Sequence, residues 1–297
     1  MIKIHPKDIP QSKLHQYLLG AIAPRPIAFA STIDAQGRMN LAPYSFFNVF
    51  SSNPPIIIFS PARRGRDNTT KHTLENVYEV KECVINVVNY SIVEQMSLAS
   101  TEYPRDVSEF IKSGLTPIAS ELVRPFRVKE APVQFECKVN EIVALGNQGG
   151  AGNLVIAEIL CIHIHEEILD HDGKIDPLKI DLVARMGGHW YTRSIAGLFQ
   201  IAQPTTQIAI GFDQLPEDIL KSQVLTGNQL AQLAGITALP DETDVNEFKL
   251  TELAELFIEF DKNYDKLEYA LHKKAAHFID QKNILDAWKT LLSFNRR

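Results

Sequence analysis

The sequence predicts a mainly β protein, a barrel with few short helices, followed by an additional C-terminal α-helical region. Three observations carry that expectation. Residues 1 to about 204 alternate short β-branched, apolar runs with Gly, Pro, Asn and Asp turns, and they hold only two short helical candidates. That pattern favours a barrel over a parallel doubly wound sheet, whose strands would alternate with long helices. Beyond Ala202-Gln203-Pro204 the apolar residues switch to three- and four-residue spacing, the helical period. Finally, 297 residues exceed what one core usually fills, so a division into 1–204 and 205–297 is expected.

The elements follow in order. Pro26 to Ile33 is an apolar run suited to a buried strand, and Asp34-Ala35-Gln36-Gly37-Arg38 is a turn in which Gly37 can supply a positive φ. Met39 to Pro43 starts the return strand, Pro55 to Ser60 is a third strand and Cys83 to Val88 a fourth. Thr70 to Val80 reads as a helix with Thr69, Thr70 or Thr73 as N-cap, and Ser91 to Ser100 as another. Pro132 to Leu145 and Leu154 to His165 are long strands joined by a glycine-rich hairpin loop. Leu178 to Ala184 is a last short strand. In the C-terminal region a helix is expected between Pro216 and Leu233. From Leu250, the residues Leu253, Leu256, Phe257, Phe260, Tyr264, Leu267, Leu271 and Phe278 form one apolar stripe. Trp288, Leu291 and Leu292 extend it after a break at Asp280 to Asn283. Packing of the stripe on the barrel or on a neighbouring subunit is the plain expectation for it.

Composition narrows the function. A net charge of −6 argues against nucleic-acid binding, which needs a basic stripe to replace counterions. With no apolar stretch long enough for a signal or a span, a cytoplasmic location is expected, with no membrane partner. The cysteines Cys83, Cys137 and Cys161 are odd in number and far apart in sequence, so they read as core residues rather than as a disulfide or zinc framework. Gly146 to Gly152 precedes a strand rather than a helix, and so does not fit a dinucleotide loop. Asp170 to Asp176 lacks the glycine and glutamate of a calcium loop and reads as a polar turn. His163 and His165 share one side of a strand, read as an exposed face rather than a metal site.

The segment Pro24 to Ser60 is different. Ser31 and Thr32 end a strand and Asn40 opens the next. Tyr44-Ser45-Phe46-Phe47-Asn48 is then too polar for a core strand and too aromatic for a solvated loop. Hydroxyls and amides beside aromatic rings suit a planar ligand with a polar rim. The basic cluster Arg63, Arg64, Arg66 and Lys71, in an acidic chain, reads either as a solvated loop or as an anion site.

The run Pro24-Arg25-Pro26 through Thr32, then Gly37, Asn40, Ala42 to Asn48 and Pro54-Pro55, resembles the flavin reductase-like, FMN-binding split-barrel family. That family includes flavoredoxin and the flavin-reductase components of two-component monooxygenases. Lys71-His72-Thr73-Leu74 with Asn76, Glu109-Phe110 with Gly114-Leu115, Phe135-Glu136-Cys137, and Arg185 with Gly187, Gly188 and Tyr191 fit further family motifs, in order, over about residues 15 to 200. One departure is His72, where the family usually has Asp. Residues 205 to 297 have no counterpart in the family core.

The resemblance implies a Greek-key split barrel that binds FMN non-covalently and acts as a flavin reductase with NAD(P)H as transient donor. FAD remains possible, but no adenine-binding feature is visible. It implies Arg66, Lys71 and Thr73 at the phosphate, helped by a helix start, and Ser45 and Ser60 at the ribityl chain or phosphate. It places Asn40, Asn48, Ser31 and Thr32 at the polar ring edge, with Tyr44, Phe46 and Phe47 near the ring and Arg185 and Tyr191 closing the site. No catalytic side chain is required, because the flavin carries the chemistry. A homodimer is implied, with a monooxygenase or other electron acceptor as partner. Two rivals stay open: an electron carrier with tightly held FMN and no NAD(P)H activity, and an adaptor whose business lies in the C-terminal helices.

Overall fold

The computed structural model describes residues 1–201 and 208–294. It divides into two compact units, Met1–Phe199 and Gln200–Arg297. The expected boundary at 204/205 lies outside the described residues.

The first unit begins with α1 (Gln11–Ala21), β1 (Ala28–Ile33), β2 (Met39–Tyr44), β3 (Phe47–Ser52), β4 (Pro55–Phe59), α2 (His72–Glu79) and β5 (Glu82–Val87). It continues with α3 (Val93–Leu98), α4 (Glu109–Ser113), the two-residue strands β6 (Pro117–Ile118) and β7 (Arg127–Val128), β8 (Val133–Ala144) and β9 (Asn153–Ile164). It ends with α5 (Pro177–Ile180), β10 (Val183–Arg185) and β11 (Tyr191–Arg193).

Seven strands form one antiparallel sheet in the order β2-β1-β5-β8-β9-β4-β3. Its two edges, β2 and β3, are consecutive in the chain and separated only by Ser45 and Phe46. A link of two residues reaches roughly 10 Å at most. The sheet must therefore curl until its edges approach, and yet β2 and β3 form no ladder with each other. The result is a barrel left open along one seam. Register shifts in the β8–β9 and β3–β4 pairs assist the bending.

Strand β1 explains its own uniform apolarity, since it is buried on both faces. Ala28 and Ala30 join a cluster with Ile57, Phe59, Leu74 and Val77. Phe29, on the other face, joins Leu41, Met96 and Phe110. Gly37, at φ 82°, turns the chain into β2 as expected. Cys83 and Cys137 are buried opposite each other on β5 and β8, and Cys161 is half-buried.

Several expectations are corrected. "Mainly β" does not hold for the described residues, which are 36% helical and 24% strand. The α1 helix was not foreseen, because none of its residues is buried and no apolar stripe announces it. Strand β3 lies in what reads as irregular polar sequence, because an edge strand with exposed Asn48, Val49 and Phe50 needs no apolar alternation. The α2 N-cap is Lys71, with no side-chain cap bond, rather than a threonine. Leu178 belongs to α5, where the Asp176 carboxylate caps the helix by accepting from the Leu178 and Lys179 amides. His163 is not on an exposed face: its Nε2 lies 2.7 Å from the fully buried Glu136 carboxylate. Glu136 also accepts the amides of Glu121 and Leu122. Burial acts to raise the Glu136 carboxyl, but those two amides and His163 hold it below its ordinary value.

The second unit is helical: α6 (Glu217–Leu220), α7 (Gly227–Ala234), α8 (Glu242–Glu252), α9 (Ala254–Glu259), α10 (Tyr264–Asp280) and α11 (Ile284–Leu292). The helix expected between Pro216 and Leu233 is two, α6 and α7. The apolar stripe runs over three helices rather than one. Leu253, Leu267 and Leu271 pack with Leu256, Phe257 and Phe260. Trp288 is buried among Leu233, Ile279 and Leu291, with its Nε1 donating to the Leu233 carbonyl at 3.0 Å. The break between α10 and α11 falls where expected, at Lys282, which takes φ 64°.

Candidate active site: a cleft between the barrel seam and a cationic loop

The first unit carries a cleft of about 470 Å³, within the usual range of roughly 300–1,000 Å³ for small-molecule sites. Its floor is β2 and the β2–β3 link: Asn40, Tyr44, Ser45 and Phe46. One wall is the loop after β4 and the start of α2, with Ser60, Arg64, Lys71, His72 and Thr73. The segment after α3, Ala99 to Tyr103, adds to the lining and meets the cationic loop through Glu102. Glu109 lies at the base, and His15, Leu19, Arg25 and Arg185 complete the lining.

The floor is held by a buried polar chain. Asn40 Nδ2 donates to Thr73 Oγ1 at 2.8 Å and to Thr32 Oγ1 at 3.2 Å. Thr32 also accepts from Asn76 Nδ2 at 3.1 Å. The Asn40 amide nitrogen is thus fully used, which fixes its orientation and leaves its carbonyl oxygen as an acceptor. Tyr44 packs on Phe59 at 5.7 Å, and burial pushes its phenol upward, so it stays a neutral donor. Phe46 meets the His15 ring edge-on at 6.3 Å.

The cations have partners within the chain. Arg64 Nη1 donates to Thr69 Oγ1 at 3.0 Å, and its Nε to Glu102 at 2.7 Å. Lys71 Nζ also meets Glu102, at 2.9 Å. Hydrogen bonds, that from Arg64 first and that from Lys71 next, hold the Glu102 carboxyl down at about 2. The glycine-rich β8–β9 loop buttresses this wall, with Arg63 N donating to the Ala151 carbonyl and Gly150 N to that of Arg63. The His72 imidazole is held below its ordinary value, first by burial and then by repulsion from Arg105, Arg64 and Lys71. Burial raises the Glu109 carboxyl, which accepts from the Leu41 amide at 3.1 Å.

At the rim, buried Arg25 donates to the carbonyls of Leu19, Ile22 and Met186, fastening the end of α1 to the barrel. Arg185 donates to Tyr191 Oη at 2.8 Å and lies 4.7 Å from that ring.

Eight of the expected site residues therefore line one cleft: Asn40, Tyr44, Ser45, Phe46, Ser60, Lys71, Thr73 and Arg185. Six do not. Ser31 is in the core, its hydroxyl without a hydrogen-bond partner among the described residues, and Thr32 lies one step back, bonded to Asn40. Phe47 packs into the barrel core, because strand alternation turns it away from Phe46. Asn48 is exposed and bonds its neighbour's amide. Arg66 is exposed and pairs with Asp67 and Glu102. Tyr191 steadies Arg185 rather than facing the cleft. Unforeseen lining comes from His15, Leu19 and the segment 99–103. Arg25, Ala42, Pro43, His72 and Glu109 carry a signal through the family motifs, and Arg64 through the basic cluster. Glu102 carried none, as an ordinary loop carboxylate whose partners lie more than thirty positions away.

Among the described residues no cluster could hold a metal ion, and no helix is long and apolar enough to cross a membrane.

Comparison with known proteins bears on the family and the fold. An uncharacterized protein of Aquifex aeolicus is 38% identical over 188 residues, covering 63% of this chain and 93% of that protein. Nitrilotriacetate monooxygenase component B from Bacillus cereus superposes with a TM-score of 0.64 at 30% identity, over 68% of this chain and 98% of its own. A split barrel domain protein from Shewanella frigidimarina gives 0.58 at 28% identity, again over 68% and 98%. Residues 20–179, more than half of the chain, match the model of the flavin reductase like domain, and the chain belongs to that family.

Proposed function

We propose that this protein is an FMN-binding oxidoreductase, a flavin reductase that draws electrons from NAD(P)H and delivers electrons or reduced flavin to a partner. The observation that carries the reading is the chemistry of the cleft, in which cations, hydroxyls, an oriented amide and aromatic rings line one volume of ligand size. Lys71 and Thr73, at the start of α2, and Arg64, in the loop before it, suit a phosphate dianion. Ser45 and Ser60 suit ribityl hydroxyls. The Asn40 carbonyl suits an N–H on the polar edge of the ring, with Tyr44 and Phe46 as apolar contacts. Bound FMN supplies the redox chemistry itself. The chain's part is to bind the flavin, orient it and limit water, which explains why no nucleophile or general base is needed.

FMN is preferred over FAD because the lining offers no adenine site. Similarity to a monooxygenase component supports a partner that consumes the product. Exposed Phe46, Val49 and Phe50, close together on an edge strand and its approach, support a homodimer.

The test is an absorption spectrum of the purified protein, with added FMN, before and after anaerobic NADH or NADPH. Flavin bands that bleach with nicotinamide are expected. Bands that bleach only with dithionite would identify an electron carrier instead, and no flavin uptake would overturn the reading.

A further inference from the structure

The cationic wall of the cleft already carries an anion of the chain's own. Glu102 comes from the segment after α3, and its carboxylate bonds all three cations of the loop after β4, Arg64, Arg66 and Lys71. Arg64 and Lys71 line the cleft together with Glu102 itself. Glu102 is the sole partner of Lys71 Nζ among the described residues. Arg64, by contrast, keeps bonds to Thr69 and to the Thr70 carbonyl when the carboxylate is set aside, so that guanidinium does not depend on Glu102 for its place.

We infer that Glu102 is a built-in competitor for the phosphate subsite, setting how strongly the cleft prefers a phosphorylated flavin over an unphosphorylated one and keeping the bound flavin exchangeable. The inference rests on the flavin reading above. A carboxylate and a phosphate present the same anionic oxygens to the same N–H donors. An entering phosphate must displace Glu102 or accept its repulsion across a few ångströms. Either course takes free energy from phosphate binding and leaves the contacts of the ring and ribityl chain untouched. A tethered competitor is present at high effective concentration and cannot be washed away. Its grip is nonetheless loose enough to yield: Glu102 and Lys71 are each about one-third exposed, and exposed pairs are individually weak.

The experiment compares FMN and riboflavin dissociation constants in the full-length protein and in Glu102→Gln, with the flavin fluorescence as readout. The amide keeps the size and one acceptor oxygen but removes the charge. Glu102→Gln is expected to bind FMN about threefold to tenfold more tightly, with riboflavin unchanged. The salt dependence of FMN binding should steepen, because one more cation is left for the phosphate to neutralise. FMN affinity that is unchanged or weaker, with riboflavin affinity intact, would overturn the inference and make Glu102 an organiser of the cations. Loss of riboflavin binding in the variant would also overturn it, by showing that the carboxylate holds the cleft wall itself. A wild-type protein that binds neither flavin would refute the flavin reading instead, so the two failures are distinguishable.

Discussion

Lys71 is the cleft cation with the fewest other obligations, since its ammonium meets only Glu102 among the described residues. Removing it should therefore disturb the ligand more than the fold. Lys71→Ala is expected to weaken FMN binding by about 1–2 kcal/mol, a charge-assisted contact discounted for partial exposure. Riboflavin binding should stay unchanged, and titration with both flavins checks the pair of outcomes. Glu109 invites a different test. Its carboxyl is raised above the ordinary 4.5 chiefly by burial. A raised carboxyl contributes stability that is fully present below the unfolded pKa and is lost as pH rises through the folded one, where the buried group must ionise. Glu109→Gln keeps an acceptor for the Leu41 amide and cannot ionise. Its melting temperature should rise relative to wild type as pH climbs above the ordinary carboxylate value of 4.5. A difference that stays constant above that value would mean that Glu109 does not titrate there.

The loop between β8 and β9 is more than a connection. A Cβ on Gly149 would lie 3.0 Å from the Arg64 carbonyl and 3.2 Å from Gly65 Cα, both of them backbone that cannot rotate aside. Gly149→Ala should therefore push the cationic loop, costing about 1 kcal/mol of stability. FMN affinity should fall and riboflavin affinity should not. Equal losses for both flavins would show that the whole cleft had shifted rather than its phosphate wall. The sequence announces that this loop is rich in glycine, but not that it touches residues eighty positions earlier. The same division runs through the other elements. Strands β1, β4, β5, β8 and β9 are legible because burial imposes apolar runs on them. Strand β3 and helix α1 are not, because neither needs an apolar face to form where it does. At the site, Asn40, Tyr44, Ser45 and Lys71 stand out as polar or aromatic residues misplaced for a core. Phe47 and Asn48 share that look, but Phe47 is turned into the barrel core and Asn48 is exposed, accepting its neighbour's amide. Glu102 was illegible because its meaning lies wholly in three partners from another segment.

At the scale of the whole molecule, the two units each have a core of their own. The barrel buries Phe29, Phe59 and Phe110, and the helical unit closes around Leu233, Ile279 and Trp288. Every residue lining the cleft lies between His15 and Arg185, inside the first unit. A ligand that binds only a native state stabilises that state by mass action, by about 2.7 kcal/mol when it is present at a hundredfold excess over its dissociation constant. If the cores unfold separately, calorimetry of the full chain should resolve two transitions, and FMN should raise only one of them. A chain ending at Phe199 should keep the FMN-sensitive transition and lose the other. Should the full chain instead melt in a single transition that FMN raises as a whole, the helical unit would be part of the barrel's stability. The adaptor reading, which needs a helical unit free to serve another protein, would then lose its basis.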